Sequence, residues 1–388
     1  MRDTAIQAKV PHRQRTRRVM IGEVPVGGGA KIAIQSMTLS SPVNVAGSID
    51  EIQRLAEAGA EIVRTAVPDD AAADCLPELV RNSSVPLVAD IHFNYRLAIK
   101  AAEAGVAKLR LNPGNIGGAD RVRAVVDAAR DHALPIRVGV NAGSLERDLL
   151  AKYGKPTAKA MVESARRHVG LLEDEGFEDI VISLKASRVP LMIAAYRLAA
   201  EEFPYPLHLG VTEAGTPNVG NIKSAVGIGT LLAEGIGDTL RVSLSADPVE
   251  EVYAARAILE SLDLRRESIR IIACPGCGRL QVDLIRLARE VEERTRSIRK
   301  PLTVAVMGCA VNGPGEAREA DIGIAGGKGE GLLYVRGEMV RKVPESQIVD
   351  ALIELIDEVE PDPEGGVADA TSITWTPDWQ GGGPDSDS

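Results

Sequence analysis

The strongest constraint on the fold is an alternation that runs from about residue 31 to 262. Short β-branched runs take turns with longer stretches whose apolar residues recur every three and four positions. Eight runs qualify as strands, at 31–37, 61–67, 86–92, 106–112, 135–141, 179–185, 206–212 and 239–245. Helical patterns follow them, as in 50–59, 94–105 and 248–262, and Gly59, Gly105, Gly176 and Gly235 stand where a helix would hand over to the next strand. Eight βα units in ~230 residues is the size of a closed (β/α)8 TIM barrel. An open doubly wound sheet is the competing architecture; its Gly-rich dinucleotide turn is absent, and eight similar units favour closure.

The chain on either side reads differently. Residues 19–26 and 31–34 flank Gly27-Gly28-Gly29 as the arms of a hairpin would, which we place as a plug under the barrel floor. Arg13, Arg15, Arg17 and Arg18 ahead of it read as a solvated arm. Beyond residue 262, a strand at 269–273 leads into Cys274-Pro275-Gly276-Cys277 and a charged helix over about 280–299. Strands at 302–307, 321–325 and 332–335 and a helix at about 344–359 complete a smaller α/β domain. The glycine-rich loop at 326–331 lacks the Gly-Lys-Ser/Thr order of a phosphate loop and reads as a hairpin turn. Residues 360–388 hold no Lys or Arg and read as a disordered acidic tail, which carries both tryptophans, Trp375 and Trp379. The expected division is an N-terminal arm and hairpin (1–30), a barrel (31–265), a second domain (266–360) and a tail (361–388).

Composition narrows the function. With 45 Lys+Arg against 55 Asp+Glu, a net charge of −10 and 3% aromatic residues, the chain lacks the basic, stacking surface of a nucleic-acid binder. No apolar run approaches the ~18–20 residues of a membrane span, and the first twenty residues hold no signal core, so the expectation is a cytoplasmic protein without a membrane partner. Four cysteines are too few for a secreted disulfide framework and suit a reducing compartment, where thiols serve metals or redox chemistry.

Side-chain parity locates a site. In a (β/α)8 barrel alternate strand residues face the lumen, and chemistry sits at the C-terminal strand ends. Asp90/His92, Arg110/Asn112, Arg137/Asn141, Ser183/Lys185, His208/Thr212 and Arg241/Ser243/Ser245 each keep one parity, while Leu109, Val138, Leu184, Leu209 and Val242 hold the other. Polar ends on any one strand would mean little; six strands agreeing is unlike chance. Arg64, Arg110, Arg137, Lys185 and Arg241 would ring one mouth with five cations, a set that suits a diphosphate better than a monocarboxylate. Glu213, one residue past the seventh strand, is a carboxyl candidate for proton transfer there, with His92 and His208 as further lumen-side donors.

A second constellation follows the barrel. Cys274 and Cys277 come directly after a strand, and Cys309 follows another in Met307-Gly308-Cys309-Ala310-Val311-Asn312-Gly313-Pro314-Gly315-Glu316. A lone C-x-x-C serves zinc knuckles, dithiols and iron–sulfur clusters alike. Three cysteines fall short of a four-cysteine zinc site or an all-cysteine [4Fe–4S] site, and Glu316 could supply a labile fourth ligand. Structural zinc stays open, since the motif resembles a zinc-ribbon knuckle. Cys75 has no cysteine neighbour and reads as a structural thiol.

Together these residues resemble the bacterial 4-hydroxy-3-methylbut-2-enyl diphosphate synthase family from about Arg17 to Val359. The resemblance is carried by Gln35-Ser36-Met37-Thr38, Glu61-Ile62-Val63-Arg64, Ala89-Asp90-Ile91-His92-Phe93-Asn94, Leu109-Arg110-Leu111-Asn112-Pro113-Gly114-Asn115, Ile136-Arg137-Val138-Gly139-Val140-Asn141, Ser183-Leu184-Lys185, Arg241-Val242-Ser243 and Asn312-Gly313-Pro314-Gly315-Glu316. It implies a barrel that binds 2-C-methyl-D-erythritol 2,4-cyclodiphosphate and a [4Fe–4S] cluster on Cys274, Cys277, Cys309 and Glu316. It also implies an oxidoreductase of the methylerythritol phosphate route to isoprenoids, with flavodoxin or ferredoxin as electron donor. Further implications are a homodimer in which one subunit's cluster domain closes over the other's barrel, and roles by position: Arg64, Arg110, Arg137, Asn141, Lys185, Arg241 and Ser243 on substrate, Glu213 and Glu316 in catalysis. The chain departs from the family pattern at 39–47 and at Ala273 and Gly276.

Overall fold

A computed structural model describes residues 11–309, 311 and 313–361. The tail expected beyond Pro361, with Trp375 and Trp379, lies outside the described residues, as does Asn312 of the second-domain motif.

The chain opens with an antiparallel hairpin, β1 (Val19–Ile21) on β2 (Val24–Val26). Its turn is Gly22-Glu23, not the Gly27-Gly28-Gly29 expected from sequence. Gly22 sits at φ 56, and an added Cβ would meet the Pro86 ring at 3.0 Å, so the tight turn beneath the barrel needs glycine. The plug itself is present: Val19, Ile21 and Val26 pack against Ala33, Ile62, Val88 and Val181, one inward residue from each of four barrel strands. The arm before it is docked through its backbone while Arg15, Arg17 and Arg18 keep their side chains in solvent, as expected. Backbone bonds run from Arg13 to Gly235 and from Arg17 to Pro204, and His12 is buried.

Eight parallel strands follow: β3 (Ala33–Met37), β4 (Ile62–Ala66), β5 (Leu87–Asp90), β6 (Lys108–Arg110), β7 (Ile136–Asn141), β8 (Ile180–Lys185), β9 (His208–Leu209) and β10 (Thr239–Leu240). They pair in the order β8-β7-β6-β5-β4-β3-β10-β9, and a bridge from Ile182 to Leu207 joins the two ends into a barrel. Every expected strand is present. β9 and β10 are the most shortened, because the chain leaves the ladder there to form loops of the mouth. Helices cover the outside for local reasons. Asn44, Asp69, Asn94 and Thr157 each accept a backbone N–H at a helix start, satisfying a donor that would otherwise have no partner. The outward strand residues Leu109, Val138, Leu184, Leu209 and Val242 join the apolar faces of these helices in one continuous core.

The second domain is a five-stranded sheet, β11 (Arg270–Ala273), β12 (Thr303–Met307), β13 (Ile322–Gly327), β14 (Glu330–Val335) and β15 (Glu338–Pro344), in that order. β11, β12 and β13 are parallel, and the last two pairs are antiparallel. The glycine-rich loop is a hairpin, with Gly327 paired to Glu330 across Lys328-Gly329. β15 escapes sequence reading because Val343 is its one buried residue. Helices Leu284–Thr295 and Ile348–Glu358 supply the core on one face. The first is shorter than expected, since Asp283 caps it by accepting from Arg286 N–H. Arg296 pairs with Glu250, and Arg299 donates to the Ala56 and Glu57 carbonyls, fastening the domain to the barrel's side. No helix among the described residues is long and apolar enough to cross a membrane.

Candidate active site and cysteine cavity

Register and parity stack the inward side chains in layers. The floor is the apolar set closed by the hairpin. Above it comes a polar layer of Gln35, Lys108, Arg137, His208 and Thr239, all buried. Lys108 Nζ donates to Gln35 Oε1 at 3.2 Å, and His208 Nδ1 lies 2.8 Å from Thr239 Oγ1. The mouth layer holds Arg64, Asp90, Arg110, Ser183, Lys185 and Arg241. Arg110 and Lys185 in this layer and Arg137 just beneath it are each less than a tenth exposed, so the cation cluster is unusually dry.

Few carboxylates offset it. Asp90 takes Arg110 at 3.1 Å and Arg64 at 3.6 Å. Burial pushes the Asp90 carboxyl up, but Arg64, Arg110 and Arg137 outweigh it and hold the group below the usual range. Glu251, from helix Pro248–Ser261, takes Arg241 through two bonds of 3.0 and 3.2 Å and also accepts Leu244 N–H. Arg110 further donates to the Gly139 carbonyl at 3.2 Å. Gly210 leaves room for Lys185, whose Nζ would stand 2.9 Å from a Cβ placed there. Desolvation, with neighbouring cations adding, pushes Arg64 down to about 10 and Lys185, Lys108 and Arg137 well below their ordinary ranges. Buried Arg137 Nε and Nη1, Gln35 Nε2 and His208 Nε2 have no hydrogen-bond partner among the described residues. Surplus positive charge and spare donors are the features that suit a multiply charged anion.

The structure thus assembles Arg64, Arg110, Arg137, Lys185 and Arg241, with half-buried Asn141 and Ser243 at the rim. His208 lies a layer beneath the mouth, fully enclosed, and burial pushes it well below the ordinary histidine range, so it is a neutral imidazole and a poor acid. His92 is open to solvent near Asp90 and Arg110. Glu213 is exposed on the loop after β9 at φ 52. It forms no ion pair among the described residues. A non-glycine residue held in the left-handed region beside a strand end is strain of the kind that collects at working sites. Sequence reading missed Lys108 and Glu251. Lys108 shares the inward parity of Arg110 two residues on, a usable signal; Glu251 reaches in from a helix and gives none.

The second constellation also converges. β11 and β12 are parallel neighbours, and each runs straight into its cysteine loop, so Cys274 and Cys309 emerge side by side. A cavity of about 400 Å³ is lined by Cys274, Cys277, Cys309 and Glu316, with Arg279 and Met307. None of the four cysteines forms a disulfide. Arg279 hydrogen-bonds Cys277 and holds its thiol below the usual range, favouring the thiolate that metals bind. Among the described residues no three His, Cys, Asp or Glu side chains sit close enough to hold a single ion. Three thiols and a carboxylate facing one cavity are donors used by zinc and iron–sulfur sites alike. No barrel residue lines this cavity.

Fold and site define a class, a (β/α)8 barrel with a buried cation ring joined to an α/β domain whose cavity is lined by three cysteines. Family models agree: residues 16–256 match the GcpE TIM-barrel domain and residues 270–358 the GcpE protein C-terminal domain. The chain belongs to the GcpE family. It is 56% identical to a Bacillus licheniformis protein over 91% of this chain and 95% of that one. It is 58% identical to proteins of Geobacter sulfurreducens, over 89% and 98%, and Symbiobacterium thermophilum, over 89% and 94%. All three bear the name 4-hydroxy-3-methylbut-2-en-1-yl diphosphate synthase (flavodoxin).

Proposed function

We infer that the chain converts 2-C-methyl-D-erythritol 2,4-cyclodiphosphate to (E)-4-hydroxy-3-methylbut-2-enyl diphosphate, an oxidoreductase step of the methylerythritol phosphate route to isoprenoids. Two electrons and two protons enter, the ring C–O bond breaks and water leaves. The observation that carries this reading is the pairing, in one chain, of a buried cation ring with a cavity bearing three cysteines and a carboxylate.

Arg64, Arg110, Arg137, Lys185 and Arg241 hold the diphosphate, and Asn141 and Ser243 position the carbon skeleton at the rim. The ring also stabilises the diphosphate oxygen that departs from carbon, where preformed charge in a dry site acts most strongly. Glu213, open to solvent, passes protons to the site. Cys274, Cys277, Cys309 and Glu316 would hold a [4Fe–4S] cluster, which when bound supplies electrons singly together with a Lewis-acidic iron. Flavodoxin, in the name of the relatives, is the donor class we assign, with ferredoxin as the chemical equivalent. We take the substrate domain as 31–265 and the cluster domain as 266–360, and place the enzyme in the cytoplasm, where cysteines outside disulfides stay reduced.

The two sites share no lining residue within one chain, which supports a homodimer whose cluster domain closes over the partner's barrel. Co-expressed Arg110→Ala and Cys309→Ala chains should then regain roughly a quarter of wild-type activity, since half of randomly formed dimers carry one intact composite site. Absence of any recovery refutes the shared arrangement. The cluster is tested by anaerobic purification with iron, sulfide, zinc and visible absorbance measured together. Roughly four irons and four sulfides per chain with a brown band near ~400 nm support it. One zinc and no colour would leave a diphosphate-binding barrel with a structural zinc domain.

A further inference from the structure

We propose that the barrel takes up protons from solvent when its anionic substrate enters, and that Lys108, beneath the mouth, and Lys185, at the mouth, receive them. The proposal rests on the diphosphate reading of the cation ring.

Lys108 is fully buried on β6, and its Nζ bonds a neutral acceptor, Gln35 Oε1, at 3.2 Å. Lys185 is buried at the end of β8 in the space Gly210 leaves. Neither forms an ion pair among the described residues. The groups facing them from the other strands are mostly cations: Arg64 on β4, Arg110 on β6, Arg137 on β7, and Arg241 after β10. Asp90 is the single carboxylate on the eight strands, and it is already shared by Arg64 and Arg110. Glu251 is engaged by Arg241, and His208 offers a ring nitrogen without a partner.

A guanidinium does not give up its proton inside a protein, so a dry lumen with surplus positive charge relieves itself at the amines. Burial, with the surrounding arginines, accordingly pushes both lysines well below the ordinary range. An anion entering the ring reverses that balance and draws protons back onto them. The cyclic diphosphate carries one strongly acidic oxygen on each phosphorus and does not titrate near neutral pH. Protons exchanged on binding therefore belong to the protein. Linkage then makes affinity fall ~10-fold per pH unit for each proton taken up.

The test is calorimetric titration of anaerobic holoenzyme, without reductant, with the cyclic diphosphate in HEPES and in Tris at the same pH. The expected result is a binding enthalpy that changes with buffer ionisation enthalpy, with a slope of about one to two protons taken up in wild type. Lys108→Met, which keeps the stem and removes the amine, lowers that number. Lys108→Gln repeats the comparison should the methionine variant misfold. Binding with the same enthalpy in both buffers overturns the proposal and leaves the diphosphate reading intact. Uptake undiminished in a folded Lys108 variant removes Lys108 from it. Absence of saturable binding, in enthalpy and in a parallel competition assay, overturns the diphosphate reading as well.

Discussion

Glu251→Gln isolates how the mouth arginines are held. Glu251 is 3% exposed and spends both oxygens on Arg241, one of them also on the Leu244 N–H. Removing one partner of a buried ion pair costs ~3–5 kcal/mol because the other charge is left uncompensated. Glutamine keeps one carbonyl acceptor, so the cost should fall at or just below that range, about 2–3 kcal/mol. At ~2–4 °C per kcal/mol for a domain of this size, the unfolding midpoint should drop by roughly 4–12 °C. Because a loosened Arg241 holds substrate more weakly, saturating substrate stabilises the variant less than wild type, and the difference should widen. Arg241 is also freed to wander, and KM should rise about 10-fold or more, as ~1.4 kcal/mol of lost positioning requires. Iron content should not change, because Glu251 lies in the barrel. The assays are thermal unfolding of anaerobic protein with and without the cyclic diphosphate, and steady-state turnover. An unfolding midpoint within a degree of wild type together with an unchanged KM would refute the claim that this pair positions Arg241.

Three further outcomes follow from the same structure. Glu316→Gln should retain a labile cluster and lose most turnover; wild-type rates would remove this exposed carboxylate from the chemistry. Arg110→Ala should weaken substrate binding by roughly 10- to 100-fold, the effect of losing a charged hydrogen bond worth ~1.5–3 kcal/mol, while the visible spectrum stays unchanged. Buried Asp238, which accepts from Leu207 N–H and Thr16 Oγ1, is pushed up to about 7 chiefly by burial. Because its folded value lies above the unfolded one near ~3.9, stability should fall as pH rises from about 4 through 7, and Asp238→Asn should flatten that slope in urea titrations at pH 5, 6.5 and 8. A parallel slope in the variant would assign the dependence elsewhere.

The barrel and the identity of its mouth were legible because period-2 alternation survives in a lumen that is polar on one parity and apolar on the other. Arg64, Arg110, Arg137, Lys185 and Arg241 could be counted around a ring before any contact was known. What failed to show were features decided across the fold. Three glycines in a row at 27–29 outshine the Gly22-Glu23 turn, yet the packing of Val19, Ile21 and Val26 under four strands decides where the hairpin bends. The basic run at Arg13–Arg18 looks solvated in sequence, and the backbone bonds that dock it to Gly235 and Pro204 leave no trace there. Glu251 sits on a helix whose buried face is mostly apolar and also carries Arg256, so nothing in the pattern marks it as a partner for Arg241.

Both candidate sites obey one topological rule, and that rule explains how the chain tolerates them. Ligand sites form where parallel strands end and loops begin, because strand interiors must be filled while loop backbones have free donors. In the barrel the apolar floor, sealed by the hairpin, confines the polar layers to the upper lumen and excludes water from below. The upper layers can therefore stay undersupplied with counter-charge, at a cost in stability that the continuous core around them offsets. In the second domain β11 and β12 end side by side, and the thiols emerge into a cavity instead of packing into the core. A ring that attracts an anion and thiols that attract metal are each unstable without an occupant, so substrate and cluster should both raise the unfolding temperature. A wild-type midpoint that one of them fails to move would show that the corresponding site has been misread.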